Sequence, residues 1–89
     1  MIESQLTIIN KLGLHARAAA KFVACTQAYS SSIQVGQDGE LIDGKSIMSV
    51  MMLAAGQGTV LNVKIEGEDE QEAFDGLSTL IENRFDEPE

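Results

Sequence analysis

Residues 2 to 9 set Ile2, Leu6, Ile8 and Ile9 among Ser4 and Thr7, a partial alternation that predicts a strand. Asn10 to Leu14 reads as a loop turning at Gly13. Ala16 to Ala28 is rich in alanine and free of Gly and Pro, which predicts a helix. Ala16, Ala19, Ala20, Val23 and Ala24 keep helical spacing, with Phe22 beside that face. Ser30, Ser31 and Ser32 break the pattern. Ile33 and Val35 then alternate with polar neighbours in a second strand. Gln37-Asp38-Gly39 signals a turn, and Leu41 and Ile42 form the return strand.

Ser46 precedes an apolar run, Ile47 to Ala55, that predicts a short helix with Ser46 as its N-cap and Gly56 and Gly58 at its end. Val60, Leu61, Val63 and Ile65 make the last strand. Glu68, Asp69 and Glu70 open a longer helix, where carboxylates suit the positive end of the dipole. Ala73, Phe74, Leu77, Leu80, Ile81 and Phe85 are its expected buried stripe, and residues 86 to 89 are expected to fray. Four strands and three helices in the order βαββαβα predict an α+β layer, one sheet with helices on one face.

The chain has 89 residues, which fits one domain spanning 1–89. Apolar residues make up 44% and aromatics 4%, with no Trp. The core must therefore come from Leu, Ile, Val, Met and Ala, with Phe22, Phe74 and Phe85 as its largest pieces. Six Lys and Arg stand against 14 Asp and Glu, a net charge of -8. That balance argues against nucleic-acid binding, which needs basic residues to displace phosphate counterions, and against a polybasic membrane patch. No apolar run approaches the ~20 residues of a membrane span, and no secretory signal is visible, so a cytoplasmic home is expected. Cys25 is the sole cysteine; it reads as a small buried hydrophobe and pairs with nothing within the chain.

The acidity is uneven. Lys11 to Lys21 contains Lys11, Arg17 and Lys21 and no carboxylate, so the basic neighbourhood surrounds the only histidine. His15 stands where the loop meets the first helix. The N–H groups of Ala16, Arg17 and Ala18 there lack intrahelical partners and carry the positive end of the macrodipole. An anion is held at such a place without a special pocket. A neutral imidazole is a good nucleophile near neutral pH, and the helix start favours that form. If the ring takes up a phosphoryl group, these donors would hold its oxygens, and Arg17 would add a charge-assisted contact. Gly13 would let a partner approach closely. A lone histidine at a helix start is more often a surface residue or a cap. A metal site is not expected, because no second His or Cys completes one, and no cofactor is implied. The run Ile47, Met48, Met51 and Met52 suits a surface that fits several partners or, equally, a core that needs gap-filling.

The run Lys11-Leu12-Gly13-Leu14-His15-Ala16-Arg17, followed by Ala19-Ala20-Lys21-Phe22, resembles the active-site motif of HPr proteins, the histidine phosphocarriers of the bacterial phosphotransferase system. Gly44-Lys45-Ser46-Ile47-Met48 with Val50-Met51-Met52-Leu53 is a second matching stretch. Gln57-Gly58-Thr59, then Glu66-Gly67-Glu68-Asp69-Glu70, is a third. Together they cover nearly the whole chain. The resemblance implies an open-faced β-sandwich, an antiparallel four-stranded sheet under three helices. It implies that His15 accepts phosphate on Nδ1 from enzyme I and donates it to an enzyme IIA domain, in the sugar or the nitrogen branch, as a phosphotransfer intermediate and not an enzyme. Arg17 would steady the phosphoryl group. Ser46 would be the site of a regulatory serine kinase and phosphorylase, and Ile47, Met48 and Met51 would lie on the partner surface. A monomer is expected. One position departs from the family pattern: Ala18 stands where Pro usually follows the active-site Arg. An alternative reading is a regulatory binding module that uses the Met-rich helix, with phosphorylation as a switch.

Overall fold

A computed structural model describes residues 1–89. In chain order the elements are β1 (Ile2–Thr7), α1 (Ala16–Gln27), β2 (Ser32–Gln37), β3 (Glu40–Asp43), α2 (Ile47–Met52), β4 (Val60–Glu66) and α3 (Glu70–Glu82), followed by a single 3-10 turn, Arg84–Asp86. The strands form one antiparallel sheet in the order β1-β4-β2-β3. The fold is the predicted α+β open-faced sandwich. No helix is long and apolar enough to cross a membrane.

Register explains the two faces. Leu6 pairs with Leu61, Ile65 with Ile2 and Ile33, and Val63 with Val35, so the apolar members of each strand share the side that the helices cover. Glu3, Lys64 and Gln34 line up on the other side, as do Gln5 and Asn62, and that side faces solvent. The β2–β3 hairpin closes through Asp38 and Gly39, whose φ angles are 53° and 82°. Two left-handed residues are what a type I′ turn requires, and Asp-Gly supplies them at low cost.

The first helix turns differently from expectation. Its buried residues are Ala18, Ala19, Phe22, Val23 and Thr26, while Ala16, Ala20 and Ala24 are exposed. Alanine is small enough to sit on either face, so Phe22, with its large apolar area, sets the rotation. The buried Thr26 hydroxyl lies within hydrogen-bonding distance of the Val23 carbonyl (3.1 Å) and the Gly44 carbonyl (2.8 Å), tying α1 to the end of β3. Cys25 is half-buried at the core's edge, and that burial pushes its thiol pKa up.

The second helix is shorter than predicted, ending at Met52 and not Ala55. Ala54, with φ 50°, makes the left-handed step that the glycines were expected to make. In α3, Ala73, Leu77 and Ile81 are buried as predicted, with Phe74 and Leu80 at the rim. Phe85 is fully buried too, yet it lies beyond the helix. Arg84, Phe85 and Asp86 all adopt left-handed φ angles of 57°, 54° and 62°. Each costs about 1 kcal/mol in a non-glycine residue, a cost offset by burying a whole phenyl ring.

The start of α3 is fixed from outside the helix. The Asp69 carboxylate accepts the N–H groups of Ser30 (2.8 Å) and Ser31 (2.9 Å) and the Ser31 hydroxyl. These donors, the Ser31 hydroxyl foremost, hold its pKa at about 2, below the ordinary 3.8. A carboxylate with a lowered folded-state pKa stabilises the fold fully above its unfolded value and loses that contribution as pH falls through the folded one. Asp69→Asn is therefore expected to lower stability at neutral pH and to narrow its gap to wild type between pH 3.8 and about 2. Glu70 and Glu87, also lowered, leave a residual acid dependence in both proteins. Denaturant midpoints measured across that range check this; a gap that stays constant with pH would contradict it.

Candidate functional site

Asn10 opens the loop that carries the histidine. It is fully buried. Its side-chain Nδ2 donates to the Gly13 carbonyl (2.9 Å), and its own carbonyl accepts the Gly13 N–H (3.1 Å). The next residue, Leu14, is buried and donates its N–H to the Ala55 carbonyl (2.8 Å), so the loop is pinned to the segment after α2. Gly13 has φ 68°, and a Cβ there would come within 2.5 Å of the Ala55 carbonyl oxygen and 2.8 Å of Gly56 Cα. Glycine is thus required by packing inside the chain and by its left-handed backbone. The expectation that Gly13 clears the way for a partner is corrected accordingly: the residue is buried.

His15 is the N-cap of α1, with φ −75° and ψ 177°, and its carbonyl accepts the Ala19 N–H (2.8 Å). Its side chain makes no capping hydrogen bond. The N–H groups of Ala16, Arg17 and Ala18 therefore stay unclaimed by any cap at the positive end of a helix of 12 residues. Arg17 is exposed and makes no ion pair, so its guanidinium is free to meet an arriving anion. The Ala18 methyl is fully buried, which places this departure from the family pattern in the core as well as in the helix's first turn.

The tail was expected to fray, and it does not. Burial of Phe85 carries the chain back over the histidine. The Glu87 carboxylate hydrogen-bonds His15 Nε2 through one oxygen and accepts Asn10 Nδ2 (2.9 Å) through the other. Lys21 Nζ donates to the Phe85 carbonyl (2.7 Å), Lys11 N–H donates to the Glu89 main-chain oxygen (3.1 Å), and Lys11 Nζ pairs with the Glu89 side-chain carboxylate at 3.3 Å. The acidic tail meets the basic neighbourhood that surrounds the histidine. Hydrogen bonds from His15 first, and then from Asn10, hold the Glu87 carboxyl below the usual carboxylate range. A shallow cleft results, lined by Lys11, Leu12, His15, Ala16, Arg17, Glu87, Pro88 and Glu89.

Ser46 is the N-cap of α2, its Oγ accepting the Ser49 N–H at 3.3 Å. Val50 turns into the core, whereas Met48 and Met52 are 69% and 80% exposed and Ile47 and Met51 about two-fifths exposed. Of the two readings of this run, core filling is excluded by that exposure. Such an apolar surface suits contact with other proteins.

Comparison with known proteins gives this site its family. Residues 2–83 match the family model described as the PTS HPr component phosphorylation site. The phosphocarrier protein HPr of Pseudomonas aeruginosa is 60% identical over 86 residues, covering 96% of both chains. The chain belongs to the HPr family. It is a phosphocarrier of the phosphotransferase system. The crystal structure of HPr-C-His from Thermoanaerobacter tengcongensis is similar over the full length of both chains, with 45% identity and a TM-score of 0.95. A crystal structure of an HPr dimer from the same organism matches with 46% identity and a TM-score of 0.78, covering 98% of this chain and all of that one.

In this HPr family member, His15, Ala16 and Arg17 meet at one cleft, with Ala18 behind them in the same helical turn. Ser46 and the methionines form a separate patch on α2. Two residues that shape the site were not legible in the sequence: Glu87, which lines the cleft, and the buried Asn10 behind it, which lie 77 positions apart. The one available signal was the sign of charge, an acidic end to a chain whose cationic stretch lies near its start.

Proposed function

We propose that His15 is the phosphoryl-carrying nucleophile, taking the group from enzyme I and passing it to an enzyme IIA domain. The observation that carries this reading is the Glu87 contact. A carboxylate only accepts hydrogen bonds, so a neutral ring facing it keeps its proton on Nε2. That leaves the lone pair on Nδ1, the ring nitrogen nearer the backbone.

In transfer, the Nδ1 lone pair forms the bond to phosphorus while the bond from phosphorus to the donor's leaving atom breaks, its electron pair returning to the donor. The ring, still protonated on Nε2, becomes cationic, and Glu87 faces that charge. The phosphoryl oxygens arrive where the unclaimed N–H groups of Ala16, Arg17 and Ala18 and the Arg17 guanidinium supply preorganised positive charge. Onward transfer runs the same bond changes in reverse toward an acceptor. The reading is tested by supplying phosphoenolpyruvate and enzyme I, then an enzyme IIA domain. Label is expected on this chain first and on the acceptor second, and failure of either step in folded protein counts against the corresponding partner.

Regulation through Ser46 belongs to the same proposal, with Ile47, Met48 and Met51 as the surface that partners cover. A phosphoryl group on Ser46 would suit the start of α2 electrostatically. It would also add negative charge to a face that a partner must approach in a protein already at -8. Ser46→Asp is expected to slow phosphorylation of His15 by about tenfold at low salt, and the difference should shrink as salt is raised. Equal rates for the two proteins at low salt would remove this part of the proposal.

A further inference from the structure

We propose that Asn10 is a positioning residue for phosphoryl transfer: it holds Glu87 so that both carboxylate oxygens must accept, and thereby fixes the proton of His15 on Nε2. The proposal rests on the reading of His15 as the nucleophile.

Asn10 is the one fully buried side-chain amide in the chain, and its Oδ1 has no hydrogen-bond partner. A buried polar atom without a partner costs stability, so an apolar residue would serve packing better. The Nδ2 group, by contrast, is fully used. It reaches the Gly13 carbonyl (2.9 Å), which fixes the loop in front of His15, and Glu87 Oε1 (2.9 Å), which fixes the tail behind the ring. Both partners accept only, so the amide orientation is determined by chemistry: nitrogen faces them and oxygen faces away. The second Glu87 oxygen then takes His15 Nε2. The chain of contacts is Asn10, Glu87, His15, in which each member settles the orientation of the next. It resembles in logic the outer partners that set the tautomer of metal-bound histidines.

This arrangement makes a prediction that a packing role does not share. Glu87→Gln replaces two acceptor oxygens by one acceptor and one donor. Asn10 can only donate to position 87, so the glutamine oxygen turns toward Asn10 and its NH₂ toward His15. The ring must then accept on Nε2, and its proton moves to Nδ1, the atom that needs the lone pair. Adding Asn10→Ala frees the glutamine to turn over and accept from Nε2–H again.

The experiment is nitrogen-15 NMR of the His15 ring, followed to alkaline pH until its shifts no longer change, in the wild type, Glu87→Gln, Asn10→Ala and the double variant. The other charges around the ring, from Lys11, Arg17, Lys21, Asp86 and Glu89, are common to all four and do not affect the comparison. The expected pattern is Nε2–H in the wild type, a shift toward Nδ1–H in Glu87→Gln, and a return toward Nε2–H in the double variant. The rate of His15 phosphorylation should follow, falling roughly tenfold in Glu87→Gln and recovering in part when Asn10→Ala is added. The Glu87→Gln arm leaves the buried amide intact, so it is readable even if the Asn10→Ala proteins fold poorly. Retention of Nε2–H in Glu87→Gln, or an identical ring spectrum with and without Asn10 in that background, overturns the proposal. The expected tautomer pattern in a chain that takes no phosphoryl group would keep Asn10 as the ring's orienter and sink the carrier reading instead.

Discussion

Replacement of His15 by alanine is expected to abolish phosphoryl acceptance, a loss on the order of 10⁴-fold or more, while leaving the fold intact. The nucleophile has no understudy. His15 is the only histidine, and Cys25 is half-buried with its thiol pKa raised. The fold should survive because the imidazole contributes no cap to α1 and is only partly buried. The His15 backbone still accepts the Ala19 N–H, and alanine keeps that bond. The comparison is a phosphotransfer time course beside a thermal melt. Residual acceptance within tenfold of wild type would move the acceptor to another residue.

Phe85→Ala is expected to be among the most destabilising single changes, at about 3–5 kcal/mol. The ring is fully buried and joins Ala73, Leu77 and Ile81 in the core. Its burial also holds the left-handed residues 84 to 86, and through them it sets Glu87 against His15. Loss of the ring therefore removes both a piece of core and the anchor of the tail. Some of the cost is returned as the backbone relaxes out of the left-handed region. A domain of this size is stable by roughly 5–15 kcal/mol in total, so a large share of stability is at stake. Urea denaturation gives the change directly. A loss below about 1 kcal/mol would mean that the tail contributes nothing and that Phe85 is replaceable.

The order of elements could be read from the chain because each carries a local signal: alternation in the strands, Asp38-Gly39 at the hairpin, Ser46 before α2, and carboxylates ahead of α3. What could not be read depends on contacts between distant residues. The face of α1 was ambiguous because alanine is nearly indifferent to burial, and Phe22 decides it. The end of α2 comes with the left-handed step at Ala54, next to the Ala55 carbonyl that receives the Leu14 N–H across 41 positions of sequence. Gly13 looked like an opening for a partner and is a close approach to Ala55 and Gly56. At the site, His15 and Arg17 stood out through charge and position, whereas Glu87 reaches His15 across 72 residues. A polar tail reads as frayed unless one knows that Phe85, four residues after Ile81, pulls it back onto the core.

Phosphorus-31 NMR of the protein after incubation with enzyme I and phosphoenolpyruvate tests whether His15 carries the phosphoryl group on Nδ1. A single acid-labile phosphohistidine resonance is expected, assigned to Nδ1 by its coupling to the ring and absent from His15→Ala. A signal on Nε2, or no signal from folded protein beside an active enzyme I, would contradict it.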